Sequence, residues 1–310
     1  MTNIVKVERL LKGINCPLVL GAKRIAHGRA IEKIGDLNFT LTNVSPSPNQ
    51  KLTLNMLDSN EFAWFMAGEA NRFFLASMIS LNRSQQNESE NISWQIVEHY
   101  YAAYYAVHYL IRVVGLSITN IDKPTMQVIL RSNFTGSTFQ NLESGLNLMR
   151  YDSSCQTITL EKKDKKGGSH IDAWAAWVSV IESLLQQANT DIEEYAESSV
   201  SLSEHLVFIK RSNDTFSPTV IRNEINYQFS NNAWCFDGLT LQKINRIRRA
   251  IANNSMILKD RGDMLENLVC NNNFIISLAK KVFTSGTESH KNSVGRVLLH
   301  KFKRKIPTLV

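Results

Sequence analysis

Apolar and polar positions divide the chain into a short alternating region followed by a long helical one. In "LNFTLTNV" (37–44) and "KLTLNML" (51–57) the two classes largely alternate, the period of a strand with one buried face. "SPSPNQ" between them holds two prolines in a turn, so the spacing predicts a β-hairpin or two short edge strands within residues 20–60. The period then lengthens. Phe62, Phe65, Met66, Phe73 and Leu75 recur near every 3.6 residues, which predicts a helix opening at Ser59 as its cap.

After the polar stretch "RSQQNESENIS" (83–93), with Ser93 as the expected cap, a second helix is predicted over about 94–114, stopping at Gly115. Residues 120–168 are mixed; one short strand is expected at "QTITL", ahead of the charged loop "EKKDKKGG". "SHIDAWAAWVSVIESLLQQA" (169–188) carries an apolar stripe of Ile171, Trp174, Trp177, Val178, Ile181 and Leu185. Ser169 is placed to cap it and Asp172 supplies a first-turn acid. "SPTVIRNEINYQF" opens with Ser217 as cap and Pro218 at the first helical position. Further helices follow in "DIEEYAESSVSLSEHLVFIKRSND", "DGLTLQKINRIRRAIANNSMILKD" and "MLENLVCNNNFIISLAKKVF". No internal repeat is present.

The helix over 94–114 has an unusual content. "EHYYAAYYAVHYL" packs five tyrosines and two histidines into thirteen residues, spaced by alanine. Trp94, Val97, Tyr101, Tyr104, Tyr105 and His108 share one broad face, and Ala102, Ala103 and Ala106 leave room for a neighbouring helix. Two readings stand: a helix–helix seam with phenols at its rim, or a site into which Glu98, His99 or His108 projects.

Composition adds bounds. The chain has 310 residues, 43% of them hydrophobic, so it can bury a sizeable core. Its net charge of +7 permits contact with nucleic acid without requiring it. Four dispersed cysteines without a C-x-x-C pair suit a reducing cytoplasm and offer no zinc spacing. The N-terminus is a poor signal peptide and no run is apolar enough for a membrane span, so a cytoplasmic protein without membrane contact is expected. P-loop, GxGxxG, HExxH and GxSxG motifs are lacking, and neither metal nor cofactor is expected.

"WQIVEHYYAAYYAVHYLIRVVGL", "SHIDAWAAWVSVIESL" and "IRNEINYQFSNNAW", in this order, together resemble helices of the HEPN superfamily (higher eukaryote and prokaryote nucleotide-binding domains) over roughly residues 90–280. The resemblance implies a mainly α fold, an antiparallel HEPN-like helical bundle, here with a small α+β N-terminal region. The corresponding division is an N-terminal region (1–85), a bundle (90–285) with an insertion at about 116–168, and a basic C-terminal tail (286–310). Many members of the superfamily are dimeric, metal-independent endoribonucleases of bacterial defence or toxin–antitoxin systems. Their signature is Arg, a polar residue, and His a few positions on. Arg holds the scissile phosphate and His handles a proton.

On that resemblance Arg222 and Asn223 match the first two positions, and Tyr227 stands where His is usual. The catalytic set expected is Arg222, Asn223 and Tyr227, with His99 as a histidine from another helix. Glu98 is a candidate partner for Arg222. The segment reads equally as a polar brace, since Arg222–Asn226 and Asn223–Tyr227 are i, i+4 neighbours. Arg246 and Arg249 on one helix face, with Lys303 and Arg304 near the C-terminus, form the expected RNA-tracking surface; a solvated face and a frayed tail are the alternative. The partners implied are RNA or a nucleotide, a second copy of the chain and a co-encoded protein. Two other classes remain open: a non-catalytic HEPN-like nucleotide-, RNA- or protein-binding module, and a structural subunit of a defence assembly.

Overall fold

The computed structural model describes residues 3–14, 16–24, 27–32, 34, 38–45, 50–86, 92–131, 142–163, 168–210, 216–230, 233–237, 240–254, 256 and 263–309. The fold is mainly helical, with one small antiparallel sheet. No helix among these residues is long and apolar enough to cross a membrane. Residues 46–49 of the expected turn, 87–91 of the polar stretch and 164–167 of the charged loop lie outside the described residues.

The tyrosine-rich segment forms the central helix α4 (Ile92–Val113). Eighteen of its twenty-two residues are buried, so it is a core helix rather than an amphipathic one. Helix α3 (Ser59–Gln86) packs along it, and α6 (Gly168–Thr190), α8 (Ser217–Tyr227), α9 (Leu241–Ala252) and α10 (Met264–Ser289) meet its other sides. The small side chains of Ala102, Ala103 and Ala106 are fully buried, and Ser77 Oγ of α3 donates to the Ala102 carbonyl at 2.7 Å. Such a close approach is what the alanines permit. The remaining helices are α1 (Asn3–Lys12), α2 (Pro17–Leu20), α5 (Lys123–Arg131), α7 (Ile192–Ile209) and α11 (Val294–Phe302).

Helix α4 ends at Gly115, whose φ of +80° suits glycine. A Cβ there would run into the Tyr151 carbonyl oxygen, while the Gly115 carbonyl accepts from Tyr151 N at 2.7 Å. The chain passes at once into the sheet. Its strands are β1 (Phe39–Ser45), β2 (Lys51–Met56), β3 (Leu116–Ile121), β4 (Gly145–Asp152) and β5 (Thr157–Lys162), in the order β1-β2-β5-β4-β3 with every neighbour antiparallel. Leu52 pairs with Leu160 and Leu54 with Ile158, and this face is buried. The alternation read in the sequence is therefore that of one covered side.

Several expectations are corrected. Residues 116–168 are not only a connection with short helices: β3 and β4 join β5 and complete the sheet begun by β1 and β2. The division near residues 85–90 does not separate two cores, because residues on both sides of it share one buried cluster. Asp58, not Ser59, caps α3, accepting from Asn60 N at 2.9 Å and Glu61 N at 3.1 Å. Ser93 lies inside α4 and donates to the Ala233 carbonyl at 2.6 Å. Ser169 and Ser217 fall within the first turns of α6 and α8 rather than before them. The C-terminal segment is not frayed: α11 is followed by a 3-10 turn at Pro307–Leu309, Leu309 is 2% exposed, and Thr308 Oγ1 donates to the Met78 carbonyl at 2.8 Å.

A smaller second core holds Ile92, Ile96 and Val97 of α4 against Ile221 and Ile225 of α8, with Ile247 of α9 and Leu268 of α10. Tyr101 packs against both cores and marks the seam between them.

Candidate functional site

Helix α8 begins at Ser217, and Pro218 at its second position presets the first turn. Ile221 and Ile225, one turn apart, are fully buried and dock the helix on α4. That docking fixes where the next residue, Arg222, stands. Its Nη2 donates to the Tyr101 hydroxyl, and its Nη1 donates to Asn223 Oδ1 at 2.7 Å. The guanidinium carbon lies 5.4 Å from the Tyr101 ring centre and 5.2 Å from that of Tyr227. Among the described residues no carboxylate pairs with Arg222, and its Nε is buried without a partner. Glu98 makes no ion pair with it; the phenol of Tyr101 takes the place expected for that carboxylate. Burial opposes the charge, but the hydrogen bond to Tyr101 and the fields of Tyr101, Tyr227 and Tyr100 together outweigh it, and the group is held above its ordinary pKa.

A histidine that the motif lacks arrives from α6. The Tyr100 hydroxyl lies 2.9 Å from His170 Nδ1, and Trp174 Nε1 donates to the same hydroxyl at 3.3 Å. An indole nitrogen only donates, so the phenol oxygen accepts there; toward His170 the phenol either gives its hydrogen to Nδ1 or accepts one from it, according to the tautomer of the ring. His170 stacks on Tyr104 at 4.2 Å and meets Tyr101 edge-on at 6.2 Å. Burial, and then the field of Arg222, lower its pKa and keep it neutral near pH 7. Burial pushes Tyr100 up to about 12 and raises Tyr104, so both phenols stay protonated.

The four residues of α4 that are not buried are Trp94, Glu98, Tyr101 and Tyr105. They follow at steps of four, three and four and form a single line along the helix. Arg222 sits against the third of them.

The expected catalytic residues separate into two groups. Arg222, Asn223 and Tyr227 come together, with Tyr227 64% exposed at the rim. His99 does not join them. It lies two residues from Tyr101, on the far side of α4, fully buried against α10. Its Nε2 is 2.9 Å from Asn273 Oδ1 and its Nδ1 3.4 Å from Asn272 Nδ2; burial lowers its pKa to about 4. His205 is also turned inward, accepting from Trp177 Nε1 at 3.1 Å. His170 was within a quoted motif, "SHIDAW", but no spacing in the sequence ties residue 170 to residue 222.

The basic set is divided between two elements. On α9, Arg246 pairs with Glu266 at 2.7 Å and Lys243 with Asp263 at 3.0 Å, which neutralises much of that face, while Arg249 stays exposed. Lys303 and Arg304 are exposed on the turn after α11.

Among the described residues, the arrangement is thus a guanidinium without a carboxylate partner, flanked by neutral hydrogen-bonding groups and aromatic faces. Its chemistry is that of an anion site. No family model, curated protein or solved structure matches the chain.

Proposed function

We propose that the chain is an RNA-directed protein with a HEPN-like bundle, and that the Arg222 cluster grips a phosphate of single-stranded RNA. One observation carries this reading: Arg222 is half-buried and bound by a phenol and an amide rather than by a carboxylate. A desolvated guanidinium without a counter-charge favours an anion, and its planar donor fork matches phosphate. The rings of Tyr101 and Tyr227 supply faces on which bases stack. Action as a homo-oligomer with a co-encoded partner in a defence system belongs to the same proposal.

Cleavage is the second reading, favoured by neutral His170 beside Arg222. In it the 2′-hydroxyl oxygen attacks phosphorus and the bond to the 5′ oxygen breaks, leaving a 2′,3′-cyclic phosphate and a 5′-hydroxyl. The neutral imidazole takes the 2′ proton on the ring nitrogen that lacks one and becomes imidazolium, the exposed Tyr227 phenol gives a proton to the leaving oxygen, and exchange with solvent restores both groups. Arg222 balances the charge gathered on the phosphoryl oxygens.

The test is anisotropy with a labelled oligoribonucleotide at two salt concentrations, alongside a cleavage assay in chelator. Arg222→Ala is expected to weaken binding by roughly 10- to 100-fold, the worth of a charge-assisted hydrogen-bonded contact. Cleavage lost in both Arg222→Ala and His170→Gln, with binding kept in the second, supports the nuclease. RNA affinity identical in wild type and Arg222→Ala refutes the proposal.

A further inference from the structure

A roomy cavity lies away from Arg222. It measures about 400 Å³, within the range of roughly 300–1,000 Å³ that small-ligand sites occupy. Helices α3 and α4, the segment at Arg29 and strand β3 enclose it. Its walls include Arg29, Arg72 and Arg112, the carboxylate of Glu69, and the rings of Phe73 and Tyr105.

The charges are unevenly matched. Arg112 is buried and rigid: Nε donates to Glu69 Oε2 at 2.8 Å, and Nη1 to His108 Nδ1 at 3.1 Å and to the His108 carbonyl at 3.0 Å. Its guanidinium carbon lies 4.3 Å from the Phe73 ring centre. Among the described residues its Nη2 has no partner. Both oxygens of Glu69 are occupied, Oε1 accepting from Ala30 N at 2.7 Å. Arg72 makes one hydrogen bond among the described residues, to the Gly28 carbonyl at 2.6 Å, and meets no carboxylate. Arg29 pairs with Glu32 on the surface, an interaction of little strength in water. Two guanidinium groups with spare donors therefore face a hollow whose single carboxylate is already spent.

The other walls speak to shape. Phe73 stacks on His108 at 4.6 Å, and Arg112 lies over the same ring; Tyr105 is tilted 6.2 Å away. Both rings are half-exposed. Strand β3 is at the end of the sheet order, so one line of its backbone groups lacks a strand partner where Thr119 and Asn120 reach the cavity. Such groups read the edge of a flat polar ring. The volume is of the size of one such ring with its sugar and phosphate.

We infer that this cavity binds a single nucleoside monophosphate, its phosphate on Arg72 and Arg112 and its base against Phe73 and Tyr105. The site is separate from the Arg222 cluster and does not depend on the function proposed for it.

The experiment is calorimetric titration of the full chain with three probes: adenosine 5′-monophosphate, adenosine and inorganic phosphate. The monophosphate is expected to bind at least about tenfold more tightly than either part alone, each spare guanidinium contact being worth about that factor. Arg72→Ala, on an exposed position of α3, is expected to weaken the monophosphate about tenfold. Tyr105→Ala is expected to weaken the monophosphate and leave phosphate unchanged. Absence of binding at millimolar monophosphate overturns the inference. So does phosphate binding as tightly as the monophosphate, or a loss that follows Arg222→Ala in place of Arg72→Ala.

Discussion

Lowering the pH from 7.5 to 5.5 should destabilise this protein through three histidines buried as neutral rings. His99 and His205 are fully enclosed, and burial lowers them to about 4 and about 3. His108 is brought well below its ordinary value by burial and then by Arg112, whose Nη1 donates to its Nδ1. In the unfolded chain each ring titrates near ~6.5. Below that pH the unfolded state binds protons that the folded state refuses, so stability falls as pH falls, starting near 6.5 and continuing toward the folded values. At pH 5.5 an unfolded histidine is about nine-tenths protonated, and each buried ring then costs about 1.4 kcal/mol. Three of them give about 4 kcal/mol, a large share of a typical total of roughly 5–15 kcal/mol. Above pH 5.5 few carboxylates titrate, which keeps the window clean. Urea unfolding at constant ionic strength across that range measures the loss. His205→Gln keeps an acceptor for Trp177 Nε1 but does not titrate, so it should remove about a third of the pH dependence. A stability that is level from pH 7.5 to 5.5, or a His205→Gln slope equal to that of wild type, refutes the reasoning.

Other outcomes are expected from single contacts. Gly115→Ala places a Cβ against the Tyr151 carbonyl at φ +80°, and a loss of about 2 kcal/mol or more is expected in thermal or urea unfolding. Glu69→Gln strands the buried Arg112 charge and is expected to cost about 3 kcal/mol, measured in the same way. Leu309→Ala empties a closed niche beside α3 and is expected to cost about 2–3 kcal/mol; no change would mean that the terminal turn is not docked in solution.

Local periodicity made much of this fold legible. Helices α3, α4 and α6 follow from recurring apolar positions, and the β1–β2 hairpin from alternation broken only at Thr42–Asn43 and Met56–Leu57. Strand β4 was not legible because "GLNLMRYD" sets Leu146 and Leu148 on one side and Met149 and Tyr151 on the other, with polar residues on both; only pairing with β3 and β5 identifies it. Arg222 was singled out from its neighbours in sequence, but its partners could not be. Tyr101 is 121 positions away, and His170 reaches the cluster only because α6 crosses α4 beside Tyr100 and Tyr104. The Glu69–Arg112 pair was hidden for the same reason: an ion pair 43 positions apart leaves no periodic trace. Caps fared worst, since Asp58 and Ser59 are equally plausible by type and only backbone geometry separates them.

Because α4 shows solvent just four of its side chains, a saturation scan along it would leave a sparse record. Tolerance would fall on a narrow ribbon at Trp94, Glu98, Tyr101 and Tyr105, with intolerant positions everywhere between. Among those four, a position that folds normally when replaced yet loses its biological readout separates purpose from architecture on this helix.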